Sequence, residues 1–173
     1  MEEIQELVAL DVETTGLNPA EDRIIEIALI RIKKGNIAEN FVTLLNPERS
    51  IPPEVSSIHG ITDDDIRESP FFRDIATKVI DIINERTILV HNAAFDIPFV
   101  KKELNLCGIE LSDIKIIDTL AIAREHFFFR KNSLSVIAAH YGIDISGVHR
   151  AEADAKITYS VYRKLLEDLQ GKK

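Results

Sequence analysis

The sequence has one cysteine, one methionine and no tryptophan in 173 residues, with only seven glycines and six prolines. A lone thiol, Cys107, excludes an intramolecular disulfide and a cysteine-rich zinc site, and it fits a reducing compartment. No apolar run approaches the roughly 20 residues that span a bilayer, and the acidic N-terminus lacks a signal-peptide pattern. The expectation is a soluble, cytoplasmic protein with no membrane association. Internal repeats, low-complexity segments and long linkers are also missing, so residues 1–173 read as a single domain. Positive charge is short as well: 21 Lys and Arg face 29 Asp and Glu, a net charge of −8. That balance lacks the broad basic footprint of a duplex-groove binder.

What is present is a set of acidic residues in three separated segments: Asp11 and Glu13 in L-D-V-E-T-T-G, Asp96 in H-N-A-A-F-D, and Asp154 in H-R-A-E-A-D-A. The last segment also carries His149. Taken singly, each has an ordinary explanation. Asp11 and Glu13 could end a strand running into solvent, Asp96 could favour a helix N-terminus, and His149 could be a solvated loop residue. Together they describe a cluster that only a folded core could assemble. Clustered carboxylates repel one another unless cations sit between them. All-oxygen sites suit hard divalent ions such as magnesium or manganese. A pair of such ions about 3.5–4 Å apart clamps the phosphate in in-line attack on a phosphodiester. Two divalent ions would halve the net charge and place positive charge where the scissile phosphate must sit. The expectation is a metal-dependent nuclease with a small footprint on a strand end.

Local patterning places these residues. Leu7–Leu10, Ile24–Ile32 and Ile37–Leu45 read as three strands with short connections, hence an antiparallel meander. Asp11 and Glu13 then share one face at the end of the first strand, with Cα atoms about 6.5 Å apart. Gly16 is expected to turn the backbone with positive φ after Thr14-Thr15. A short helix follows Pro52-Pro53 and ends near His59-Gly60. Ser69-Pro70 predicts the N-cap and first turn of a helix through Ile83. Thr87–Val90 is a short strand. Asn92 is expected to cap a helix from about Phe95 to Leu106, with Pro98 in its first turn. Ile114–Ile117 reads as a fifth strand, followed by helices at about Thr119–Phe127, Ser133–Tyr141 and Ala151–Leu169. On the last helix Asp154 heads an apolar stripe of Ile157, Thr158, Val161 and Leu165. His149 precedes that helix on a loop expected to move, and an imidazole's ordinary pKa of about 6.5 suits a general base. His59 could contact substrate or cap its helix, His91 and Asn92 could be orienting residues, and His126 and His140 look like helix ends. Phe127–Lys131 could stack bases or be a packed helix end before a solvated turn.

With these motifs in order from Leu7 to about Leu166, the chain resembles the DEDD 3′–5′ exonuclease superfamily. The sister branch places a tyrosine four residues before the last aspartate. Here Arg150 stands there and His149 one residue earlier, so the histidine-bearing (DEDDh) branch fits. Thr14 after the glutamate favours the polymerase III epsilon-like proofreading subgroup over oligoribonucleases. The resemblance implies an α/β, ribonuclease H-like fold with a five-stranded mixed sheet flanked by helices. It implies a two-metal mechanism, with two magnesium or manganese ions, releasing nucleoside 5′-monophosphates from 3′ ends. It also implies roles: Asp11, Glu13 and Asp154 around one ion, Asp11 shared with a second that Asp96 assists, and His149 as base. Thr14, Thr15, Gly16, Leu17, His59 and Phe95 match positions that line the nucleotide pocket. The partner implied is nucleic acid with a free 3′ end, preferably single-stranded or mispaired DNA in replication or repair. An exoribonuclease shares the same metal site, and a silent polymerase- or nucleic acid-binding scaffold would share the fold. The longer C-terminal segment by which epsilon engages its polymerase has no counterpart in these residues. A stand-alone nuclease and one recruited to a DNA polymerase are therefore equal expectations.

Overall fold

The structure, a computed structural model, describes residues 6–171. Strands β1 (Glu6–Thr14), β2 (Ile24–Lys33) and β3 (Asn36–Leu44) form the antiparallel meander. Strands β4 (Thr87–Val90) and β5 (Lys115–Asp118) add in parallel on the other side of β1. The sheet order is β3-β2-β1-β4-β5. A mixed five-stranded sheet of this order, flanked by helices, is the ribonuclease H-like arrangement expected from the sequence. The helices are α1 (Pro53–His59), α2 (Asp63–Ile66), α3 (Phe72–Ile83), α4 (Ala93–Leu106), α5 (Thr119–His126), α6 (Leu134–His140) and α7 (Ala151–Gly171).

β1 is the centre of the molecule, and its alternation decides where the acidic residues go. Val8, Leu10 and Val12 face one side, where they pack with Val79 and Ile83 of α3 and Phe99 and Leu104 of α4. Leu7 and Ala9 face the other side, against Ala151, Ala155 and Tyr162 of α7. Because a strand repeats every second residue, Asp11 and Glu13 continue the α7 face. Both layers are apolar and closed up to that point, so the carboxylates emerge where the hydrophobic face runs out. No helix among the described residues is long and apolar enough to cross a membrane.

Several local expectations need correction. The third helix starts at Phe72, not at Ser69-Pro70, because Asp74 Oδ2 accepts the Phe71 N–H at 2.9 Å and satisfies a first-turn donor there. Pro70 lies outside and its carbonyl accepts the Asn46 N–H at 2.9 Å. α4 begins at Ala93, earlier than expected, and Asn92 makes no side-chain cap bond. The cap comes from a distance: the Asp118 carboxylate, at the end of β5, accepts the N–H groups of Asn92 and Ala93 at 2.9 and 3.0 Å. Pro98 consequently falls inside the helix. Gly16 does not turn with positive φ. It is required for close approach, since a Cβ there would sit 2.4 Å from Asp22 Oδ2. Asp22 in turn accepts the Thr15 hydroxyl and the Asn18 N–H, at 3.1 and 3.0 Å.

One buried ion pair ties the meander to α4. Glu103, 1% exposed, receives Arg23 Nε at 2.7 Å and a second guanidinium nitrogen at 2.9 Å. Removing one partner of a buried pair costs about 3–5 kcal/mol, because the other charge stays behind. Arg23 keeps some solvent contact, which favours the low end. Glu103→Ala should therefore lose about 3 kcal/mol in urea unfolding, with an unchanged m-value; a loss within experimental error would show the pair to be neutral.

Candidate active site

The C-terminal ends of β1 and β4 and the N-termini of α4 and α7 meet at one end of the sheet. Asp11 and Glu13 come from β1, Asp154 from the first turn of α7 and Asp96 from the first turn of α4. One carboxylate oxygen from each of Asp11, Glu13 and Asp154 lies within 4.8 Å of the others. Asp96 stands outside this group of three. It is 3% exposed, and its Oδ1 accepts the Val12 N–H at 3.2 Å, which places it against β1 between the two strand carboxylates in sequence. His149 lies just before α7, and its backbone N–H donates to Asp154 Oδ2 at 3.1 Å. That bond links the loop before α7 to the acidic cluster.

Electrostatics records the strain of this assembly. Burial, followed by the charges of Asp96, Asp154 and Glu13, pushes the Asp11 carboxyl well above the usual range. Glu13 is pushed up to about 8 by burial and by the Asp154 and Glu26 charges, with Arg150 opposing. Asp96 is raised mainly by burial, against the Val12 N–H bond that favours its ionised form. Asp154 is raised by burial, while the His149 N–H pulls the other way.

The residues fit divalent metal. The donors are all carboxylate oxygens, the chemistry that hard cations prefer. Asp154 Oδ1 is buried with no hydrogen-bond partner, although a buried acceptor normally finds one. An ion among the three carboxylates would occupy that orphaned oxygen and relieve the repulsion together.

Two cavities flank the cluster. One, of about 400 Å³, is bordered by Glu13 and walled by Leu17, Val55, Ile58, His59 and Phe95. Leu17 and Ile58 are exposed apolar side chains, 84% and 59% accessible. His59 Nδ1 accepts the Ile61 N–H at 3.0 Å, so the ring proton is on Nε2, which is buried without a partner. His59 thus ends its helix and lines this cavity. Thr14 and Gly16 also border this cavity. Thr15 does not; it is 1% exposed and braces the turn through Asp22 and through its N–H to the Arg23 carbonyl at 2.9 Å. The second cleft, of about 680 Å³, is lined by Asp11, Asp154 and His149 together with Arg124 and Lys131.

His91 is hydrogen-bonded at both ring nitrogens. Its Nε2 donates to the Asn132 carbonyl at 3.0 Å and its Nδ1 meets the Thr119 hydroxyl at 2.8 Å. Burial lowers its pKa, favouring the neutral ring. The aromatic run divides. Phe127 and Phe129 stack at 5.5 Å and pack on the core of α6 and α7, whereas Phe128 is fully exposed. His126 and His140 lie in the last turns of their helices. Sequence reasoning missed Glu26, Arg150 and Asp118 as structural parts of the site. Glu26 carried a signal, being the one charge inside the apolar run Ile24–Ile30.

An α/β sheet of this topology, with converging carboxylates at the strands' carboxyl ends, defines a phosphodiester-hydrolase type of site. The chain belongs to the Exonuclease family, whose pattern matches residues 8–162. It is 37% identical over 161 residues to the DNA polymerase III subunit epsilon of Treponema pallidum, covering 91% of this chain and 75% of that protein. It is 33% identical over 168 residues to the 3′-5′ exonuclease DinG of Bacillus subtilis, covering 96% of this chain but only 18% of that protein. Among solved structures, the zinc-bound E. coli ExoI–ssDNA complex superposes with a TM-score of 0.83 at 23% identity, over 98% of this chain and 42% of that one. Exonuclease X in complex with 5′ overhanging duplex DNA superposes with a TM-score of 0.74 at 23% identity, over 94% and 92% of the two chains.

The raised carboxyl pKa values have a measurable consequence. Glu13 moves from 4.5 to about 8 on folding, so over that interval the folded chain holds a proton the unfolded chain has released. Its contribution is fully present below about 4.5 and is lost as pH rises through about 8. In chelator, the melting temperature should fall as pH is raised across this window. Divalent metal competes with those protons, so the metal-induced rise in melting temperature should grow over the same window. A chelated protein whose stability is flat across this interval would contradict the cluster's electrostatics.

Proposed function

We propose that residues 1–173 act as one metal-dependent 3′–5′ exonuclease domain that removes nucleoside 5′-monophosphates from free 3′ ends of DNA. The observation that carries the reading is the group formed by Asp11, Glu13 and Asp154, together with the buried Asp154 Oδ1 that has no hydrogen-bond partner. Support comes also from the relatives, which include a replication subunit and a protein named a 3′-5′ exonuclease.

Asp11, Glu13 and Asp154 would hold one magnesium or manganese ion, and Asp11 with Asp96 a second. Such ions, when bound, neutralise charge on the scissile phosphate and acidify water. His149 takes the proton of the attacking water at its imidazole. The apolar cavity receives the terminal nucleotide, with Leu17 and Phe95 against the base and the Nε2–H of His59 as a donor. Its volume of about 400 Å³ suits one nucleotide and not a duplex end. Arg124 and Lys131 border the other side of the cluster and supply positive charge for the strand that continues away from it. A mispaired or single-stranded end avoids an unpairing cost of a few kcal/mol, so such ends are the preferred substrates. A cytoplasmic setting, in replication or repair, belongs to the same reading and suits the free thiol of Cys107. Recruitment to a DNA polymerase is compatible with it.

With 5′-labelled oligonucleotides and magnesium, a ladder of products shortened one nucleotide at a time from the 3′ end is expected, with mismatched ends faster. Asp11→Asn and Asp154→Asn should abolish it and shrink the metal-induced rise in melting temperature. Cleavage of circular single strands would refute the exonuclease assignment, and faster digestion of matched RNA would move the substrate to RNA. For His149→Ala, kcat should drop by roughly 10²–10⁴-fold while the metal-induced stabilisation persists. Wild-type turnover in that variant would make the histidine a bystander.

A further inference from the structure

Glu26 is a carboxylate buried beside the acidic cluster that the mechanism does not use. It is 2% exposed and sits opposite Glu13 in the antiparallel register of β1 and β2. Both of its oxygens are occupied. Arg150 Nε approaches them at 3.2 and 3.1 Å, a second guanidinium nitrogen reaches Oε1 at 2.6 Å, and the Ala151 N–H donates to Oε2 at 2.9 Å. A two-pronged guanidinium contact fixes orientation as well as distance, which a lysine ammonium does not.

The two residues that grip Glu26 directly follow His149. That histidine has φ 68°, the left-handed region where a side chain other than glycine is disfavoured. Such a conformation persists only where neighbouring contacts over-determine it. On its carboxyl side the contacts are those of Arg150 and Ala151 to Glu26. Its own N–H bond to Asp154 Oδ2 is a third. The loop is therefore clamped between β2 and the head of α7, with the imidazole-bearing residue at the strained point.

We propose that the Glu26–Arg150 pair is a latch that holds the backbone of His149 in its left-handed conformation and so positions the imidazole beside the acidic cluster. The pair are positioning residues: they act through His149 and touch neither substrate nor metal. This rests on the reading of His149 as the general base. A second consequence is that Glu26, with both oxygens engaged by Arg150 and Ala151, stays out of the ligand set although it neighbours Glu13.

The test is a mutant cycle on the full chain, with a 5′-labelled single-stranded oligonucleotide at saturating magnesium. Arg150→Ala should lower kcat by up to about 10²-fold, the scale of a misplaced catalytic group, with KM and the metal-induced melting shift little changed. Arg150→Lys should recover part of the loss, and Glu26→Gln should resemble it in kind. In a His149→Ala background, adding Arg150→Ala should change kcat by no more than about twofold, the scatter between independent sites. Amide hydrogen exchange across residues 146–151 should quicken in Arg150→Ala whether or not substrate is present. If Arg150→Ala does not fold, Arg150→Lys and Glu26→Gln carry the same comparison. Wild-type turnover in His149→Ala overturns the base assignment and the latch with it. An impaired His149→Ala beside an unimpaired Arg150→Ala overturns the latch alone. So does a full additional loss in the double variant, or disappearance of the metal-induced shift in Arg150→Ala.

Discussion

Repulsion among buried and half-buried carboxylates at one end of the sheet is the constraint on which the rest of this structure depends. Asp11, Glu13, Asp96 and Asp154 are all driven towards the protonated form. Within the chain the opposing contributions include an N–H from Val12, an N–H from His149 and the charge of Arg150. The fold nevertheless holds these groups together, because each is carried by an element committed by its apolar face. β1 is buried on both faces, α7 packs across one of them, and α4 is anchored by Phe99 and Leu104 on the other. Hydrophobic burial thus sustains an electrostatically unfavourable arrangement that positive charge from outside can relieve.

The surroundings of the cluster are chemically asymmetric. Towards the end of β1 lies the apolar cavity, walled in part by Phe95 and Leu17. Towards α5 and α6 the cleft is lined by Arg124 and Lys131. A chain with a net charge of −8 therefore needs no extended basic face to engage a polyanion. A few cationic side chains near the cluster act over the short range in which salt screening leaves electrostatics effective. The tie from Asp118 to the N–H groups of Asn92 and Ala93 keeps α4, and with it Asp96 and Phe95, at the boundary between the two sides.

Much of this was legible in the linear order of residues. The meander was visible because β-branched runs and the Lys34–Asn36 turn are local features. The α7 stripe was visible because a helix repeats its face every three to four residues. The acidic motifs could be assigned to one site because D-x-E at a strand end and Asp154 at a helix head each point one way. What misled was local chemistry overridden from afar. Pro70 and Asn92 have the right residue types for helix starts, but Asp74 and Asp118 supply the caps. Gly16 suggested a turn conformation, while the structure needs its missing Cβ for the approach of Asp22.

The sequence by itself determined the class of fold, the strand and helix faces and the identity of the acidic set, because these follow from periodicity and residue type along contiguous stretches. Tertiary structure alone decided which three carboxylates come within 4.8 Å and which one stands apart. It likewise decided that Thr15 braces a turn while His59 lines a cavity, and that Glu26 meets Arg150 across 124 residues of chain. Such contacts depend on strand register and helix docking. Those are set by the packing of the whole core, and no local window of residues encodes them.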